Sequence, residues 1–154
     1  MEVVFDIETD GLNPTVIWCL VAIDETGDVY RYYEDTLDEG IKFLQNADKI
    51  IGHNILGFDI PVIKKLYGID LYNANKVVDT LVLSRLFNPT REGGHSIAKW
   101  GYKLGLPKKD SPEWTCFTKE MLDYCEQDVV INNKLFNYLK KESIGFSIES
   151  INLE

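Results

Sequence analysis

The chain has 154 residues, 45% of them hydrophobic and 27% charged, with 25 acidic against 16 basic side chains and a formal net charge of −9. That size and balance fit one soluble globular domain, no apolar run approaches the roughly 20 residues of a membrane span, and the acidity argues against a chain that wraps nucleic acid through its own charge. The first residues lack the basic-then-apolar layout of a secretory signal, and Cys19, Cys116 and Cys125 are odd in number without zinc-type spacing, which points to reduced thiols in the cytoplasm.

The first stretch, Val3-Val4-Phe5-Asp6-Ile7-Glu8, predicts a strand. Side chains two apart share a face, so Val3, Phe5 and Ile7 line one side while Asp6 and Glu8 stand together on the other. Turn formers follow from Thr9 to Pro14, then an apolar strand over Val16–Asp24, a hairpin turn at Glu25–Asp28 and an aromatic-rich strand over Val29–Tyr33. The next elements are a helix over Asp38–Ala47, a short buried strand at Lys49–His53, and a helix over Phe58–Tyr67 ending near Gly68. A strand around Val77-Val78 leads into a helix over Thr80–Phe87. The loop Asn88–Gly94 is expected to be mobile. Ser96–Leu104 predicts another helix, Pro107–Pro112 an irregular loop, and Thr118 caps a long helix to about Lys141 before a polar tail, Ser143–Glu154. The predicted fold is therefore α/β: a mixed five-stranded sheet, made of a three-strand antiparallel meander plus two further strands, flanked by helices.

Charge is unevenly spread. Between Arg85 and Lys109 lie six basic residues against only Glu92, a segment that reads either as a phosphate-contacting edge or as a solvated surface. Four carboxylates, in three elements, break the pattern around them. Asp6 and Glu8 crowd one face of an apolar strand, which is unfavourable unless protons or cations neutralise them. Solvation at a fraying strand end is the simpler reading. Asp128 falls in the middle of the arc Met121, Cys125, Asp128, Asn132, Leu135 and Leu139, the face the last helix should bury, with Tyr124 one turn earlier. A neutral partner could also satisfy it. Asp59, close before Pro61, reads first as a helix cap, with a site role open beside it. Neither His53 nor His95 has a companion ligand at zinc spacing, so four oxygen-donor carboxylates favour Mg²⁺ or Mn²⁺ over zinc.

These residues resemble the DEDD superfamily of 3′–5′ exonucleases, in its tyrosine-bearing branch, whose fold is ribonuclease-H-like. Asp6-Ile7-Glu8 matches its first motif, Asn54 through Phe58-Asp59 its second, and Tyr124 through Asp128 its third. Asp79–Leu86, Trp100–Gly105 and Met121–Val130 are similar to the proofreading domain of family-A replicative polymerases of short-tailed phages. The loop Asn88–Gly94 is shorter than in that group. The resemblance covers roughly residues 1–141 and implies an exonuclease domain there, with residues 142–154 as a tail that leads toward a polymerase domain. It further implies two divalent cations held by Asp6, Glu8, Asp59 and Asp128, with Tyr124 orienting the attacking water. Thr9, Leu12, His53, Asn54 and Phe58 are the implied substrate contacts, Leu12 as a wedge against the terminal base. The implied substrate is a single-stranded or frayed DNA 3′ end, the implied partner a DNA polymerase domain or subunit, and the implied setting a phage-encoded protein in the host cytoplasm. An RNA 3′ exonuclease, or a silent interaction module that keeps the fold, remain the alternatives.

Overall fold

The computed structural model describes residues 1–153, with side chains through residue 144. Five strands form one sheet in the order β3-β2-β1-β4-β5, with β1 spanning Glu2–Thr9, β2 Ile17–Asp24, β3 Val29–Tyr33, β4 Lys49–Gly52 and β5 Val77–Asp79. The first three strands run antiparallel, and β4 and β5 continue parallel to β1. The helices are α1 (Leu37–Asn46), α2 (Ile60–Tyr67), α3 (Thr80–Phe87), α4 (Ile97–Lys103) and α5 (Lys119–Leu153). The mixed sheet and its flanking helices are as the sequence predicts.

Strand β1 is central, and its alternation decides where everything else packs. Val3, Phe5 and Ile7 join Leu20, Ala22, Ile41, Leu44, Ile50 and Ile63 in the core beneath α1 and α2. Val4 points the other way, into a second core with Val21, Ile23, Ile51, Met121, Cys125 and Val129 under α5. Each such side chain contributes about 1.5–3 kcal/mol by leaving water, so the register of β1 is strongly fixed. Asp6 and Glu8 follow Val4 on the α5 side. A smaller core of Trp100, Leu135 and Leu139, with Leu83 and Phe87 against it, joins α3 and α4 to α5.

Two expectations give way to the structure. Helix α5 does not stop near Lys141 but continues to Leu153. Ser143, Gly145, Ser147 and Ser150 are weak helix formers, so the sequence predicts a tail there. No proline interrupts the stretch, however, and extending an existing helix adds one hydrogen bond for each residue fixed. The last residue of the predicted tail, and its side chains from Gly145 onward, lie outside the described residues. The loop Asn88–Gly94 is pinned rather than loose. Arg91 is buried within it, donates to Ser84 O at 3.0 Å and to both carboxylate oxygens of Glu142 at 3.0 and 2.6 Å, and stacks 4.6 Å from the Trp100 ring. A guanidinium with carboxylate, carbonyl and indole partners holds a loop that glycine and proline content alone portrays as mobile.

Candidate active site

Strand β1 delivers the first two carboxylates. Asp6 pairs across the sheet with Val21 and Glu8 with Cys19, and a bulge between Glu8 and Thr9 then breaks the ladder. Bulges re-aim side chains at such rims. Glu8 is buried, so the solvated-end reading of this pair does not hold.

Asp59 arrives by a less regular route. After β4 the chain passes Asn54, whose φ of 60° is left-handed, and winds through a π-helical turn over Ile55–Asp59 into α2. Asparagine tolerates that conformation better than most residues. Gly57 is needed because a Cβ there would lie 2.5 Å from Asn54 Oδ1. The turn hangs on Asp79, whose carboxylate accepts from the backbone N–H groups of Asn54 (2.9 Å), Leu56 (3.0 Å) and, as the cap of α3, Leu81 (2.9 Å). Asp59 itself makes no capping hydrogen bond and its backbone is already helical, so the capping reading fails. Its side chain is buried, and Oδ2 has no hydrogen-bond partner. Replacing Asp79 by Ala strands three backbone donors. We expect a loss of about 3 kcal/mol, read from urea denaturation midpoints. A change below about 1 kcal/mol would mean that the turn holds itself.

Helix α5 closes the site from above. Thr118 Oγ1 accepts from Met121 N at 3.1 Å and caps it as expected. All six residues of the predicted arc, Asp128 among them, are buried. Cys125 Sγ lies 3.5 Å from Asp6 O, which locks α5 over β1. Asp128 Oδ1 has no partner, while Oδ2 is 3.3 Å from Lys108 Nζ. The Tyr124 ring meets the edge of Trp114 at 5.6 Å and lies under Lys108 at 4.9 Å.

Asp6, Glu8, Asp59, Tyr124 and Asp128 thus line one open cavity of about 300 Å³, with Leu12, His53, Asn54, Phe58 and Lys108 around them. The charge balance inside it is strained. Burial raises the pKa of Asp6 well above the carboxylate range, and Glu8, Asp59 and Asp128 add to the rise. Burial and then Asp128 push Glu8 up to about 8, and burial pushes Asp59 up to about 8. Asp128 is raised by burial and partly restored by Lys108. Burial opposes the charge on Lys108, yet Asp128 and the Tyr124 hydroxyl hold its pKa above that of an ordinary lysine. Burial pushes the Cys125 thiol well up, so it is no thiolate ligand for a soft metal. Four carboxylates with two buried, unpartnered oxygens (Asp59 Oδ2, Asp128 Oδ1) form a hard, all-oxygen donor set that suits divalent cations of the Mg²⁺ class.

The predicted substrate residues divide. Leu12 is 97% exposed and, with Phe58 and Trp114, borders an apolar slot of about 280 Å³ beside Glu8 and Thr9. Asn54 is exposed at the cavity edge. Thr9 spends its hydroxyl on a turn, donating to Gly11 O at 2.9 Å. His53 is committed inward, with Nδ1 2.8 Å from Thr80 Oγ1 and Nε2 2.7 Å from His95 O, and burial lowers its pKa to about 4. Sequence reading missed Asp79, Lys108 and Trp114 as parts of this neighbourhood. Only the basic bias of Arg85–Lys109 hinted at Lys108, and nothing in the pattern singles out Trp114.

Comparison with known proteins bears on family and fold. The DNA-directed DNA polymerase of Enterobacteria phage T3 is 29% identical over 196 aligned residues, covering 95% of this chain and 27% of the polymerase. That of Escherichia phage T7 is 28% identical over 194, covering 96% and 28%. The chain therefore spans little more than a quarter of the curated relatives it matches. Among solved structures, Brucella melitensis NrnC bound to pGG superposes with a TM-score of 0.71 at 21% identity, over 92% of this chain and 72% of that one, a likeness of fold. The 3′–5′ exonuclease model of family-A DNA polymerases matches residues 1–144. With a ribonuclease-H-like sheet beneath it, the chain belongs to that 3′–5′ exonuclease family.

Proposed function

We propose that this chain removes 5′-mononucleotides one at a time from single-stranded or frayed DNA 3′ ends, as a proofreading exonuclease. The observation that carries the reading is the convergence of Asp6, Glu8, Asp59 and Asp128 on one cavity, with two carboxylate oxygens buried and unpartnered. These four would hold two divalent cations, Mg²⁺ or Mn²⁺, which when bound supply Lewis-acid stabilisation of the phosphoryl oxygens and help activate water. Tyr124, braced by Trp114, presents its hydroxyl to orient that water. Its part is to position the water by a hydrogen bond. Leu12 and Phe58 wedge the terminal base in the apolar slot, and Asn54 meets the nucleotide at the rim. Thr9 and His53 serve by shaping the walls.

Residues 1–141 form the nuclease domain in this reading, and 142–154 lead toward a polymerase that is either attached or recruited. The polymerase relatives, and the small share of them that the chain spans, support that partner. The net charge of −9 supports weak, salt-sensitive DNA binding by this chain alone, with the partner supplying affinity. No described helix is long and apolar enough to cross a membrane, and the host cytoplasm is the proposed setting. An RNA-trimming reading draws on the likeness to NrnC bound to pGG.

A 5′-labelled oligonucleotide tests both. With Mg²⁺ it should shorten stepwise from its 3′ end, EDTA should stop it, and DNA should be degraded faster than RNA of equal sequence. Faster degradation of RNA would install the second reading. No shortening of either, with Mn²⁺ bound normally, would leave only a silent module.

A further inference from the structure

Lys108 has no role in the scheme above. Among the described residues, it is nevertheless the one basic side chain ion-paired with any of the four carboxylates. It is held there deliberately. The segment that carries it is strapped to the body on both sides. Lys134 Nζ donates to Leu104 O at 2.9 Å, Gln127 Nε2 to Pro107 O at 3.0 Å, and Trp18 Nε1 to Trp114 O at 2.8 Å. Leu106 N donates to Gly101 O at 2.8 Å, an approach so close that a Cβ on residue 101 would lie 2.6 Å from Leu106 O. An irregular loop with anchors before and after a residue fixes that residue almost as a helix would.

The position is telling as well. Lys108 lines the carboxylate cavity and also a neighbouring one of about 460 Å³, bordered by Arg85, His95 and Ser96. It stands at their junction, with Asp128 on one side and the Tyr124 ring beneath it. One ammonium cannot balance four carboxylates. It engages one oxygen of Asp128 and the Tyr124 hydroxyl, which leaves one of its three donors for a further anion.

We propose that Lys108 is a catalytic residue whose ammonium donates a hydrogen bond to a nonbridging oxygen of the scissile phosphate. The inference rests on the nuclease reading. In the step concerned, the oxygen of water forms a bond to phosphorus and releases one proton to solvent, the bond from phosphorus to the 3′-oxygen of the preceding nucleotide breaks, and that oxygen takes up one proton from solvent, so the step consumes one water. Lys108 keeps its own protons throughout. Negative charge grows on the nonbridging oxygens as the new bond forms, so a donor fixed beside them stabilises the transition state more than the bound substrate. A lysine supplies this as a point charge, and Asp128 and the Tyr124 ring keep it from wandering.

The test compares K108M and K108R with the unsubstituted protein in single-turnover cleavage of an oligonucleotide at saturating Mn²⁺. Mn²⁺ affinity is measured separately by calorimetry. K108M should slow cleavage about 100-fold, with KM changed little and Mn²⁺ bound at least as tightly, and K108R should recover most of the rate. Sulfur placed at one nonbridging position should slow the unsubstituted protein more than K108M, since a contact already lost cannot be weakened again. Lys108 is partly exposed, so its removal leaves no void in the core. A K108M that cuts as fast as the parent overturns the proposal, as does a slowdown fully explained by weaker Mn²⁺ binding, or an undiminished sulfur effect. A parent protein that cuts neither DNA nor RNA overturns the nuclease reading instead.

Discussion

Asp6→Asn is expected to reduce metal-dependent nuclease activity by about 1,000-fold or more and, at the same time, to make the metal-free protein harder to unfold. The two effects share one cause. Asp6 sits in the central strand, raised well above the carboxylate range by burial and by Glu8, Asp59 and Asp128. Its charge is therefore a burden on the fold until a cation offsets it. An amide of the same shape removes that burden and also the ligand. Relief of about 1 kcal/mol corresponds to a rise of about 2–4 °C in melting temperature for a domain of this size. The check is a thermal melt in EDTA at pH 8 beside an exonuclease time course in Mg²⁺. Full activity in the variant would remove Asp6 from the site. Lower stability would mean that the carboxylate was stabilising the strand after all. Trading stability for function is common where like charges are gathered for catalysis.

The second expectation concerns pH. Glu8 and Asp59 both titrate near 8 in the folded protein, against 4.5 and 3.8 when unperturbed. The folded state thus holds protons that the unfolded chain has already released, and stability falls as pH rises through that window. Each extra proton held contributes a slope of about 1.4 kcal/mol per pH unit. His53, lowered to about 4 by burial, acts with the opposite sign, but only below its unperturbed 6.5. Between pH 6.5 and 8 the carboxylates titrate without that opposition. The metal-free protein should lose about 2–4 kcal/mol there, measured by urea unfolding in EDTA. Saturating Mn²⁺ should flatten the curve, because ligands that bind only the folded carboxylates replace the protons. A flat curve in EDTA would mean that burial does not raise Glu8 and Asp59 in the folded protein.

The parts legible in the sequence were those written in periodicity. Alternation in β1 placed Asp6 and Glu8 on one face, and the 3.6-residue arc of α5 placed Asp128 on the buried side beside Tyr124. Both are local patterns, and a carboxylate that violates one is visible without any structure. Asp59 was harder, because a π-helical turn has no sequence period and the nearby Pro61 imitates a cap. Lys108 and Trp114 were not legible. Their place depends on hydrogen bonds to Gln127 and Trp18, which lie 20 and 96 residues from their partners in the chain. Arg91 misled for the same reason, since its ion pair with Glu142 spans 51 residues. Composition records what a loop is made of. It does not record what the loop will find.

The contact between Cys125 and Asp6 joins residues 119 positions apart, and its consequence concerns the order of events in folding. The sheet can form from the first half of the chain, but one of its faces stays bare until α5 arrives to cover Val4, Val21, Ile23 and Ile51. That same docking brings Asp128 to Asp6 and Glu8. Long-range closures of this kind come late and set the pace of folding, and a chain waiting for its last helix exposes a sticky apolar surface. Closing the core and completing the cavity are therefore one cooperative event, and any local opening that lifts α5 dismantles both together.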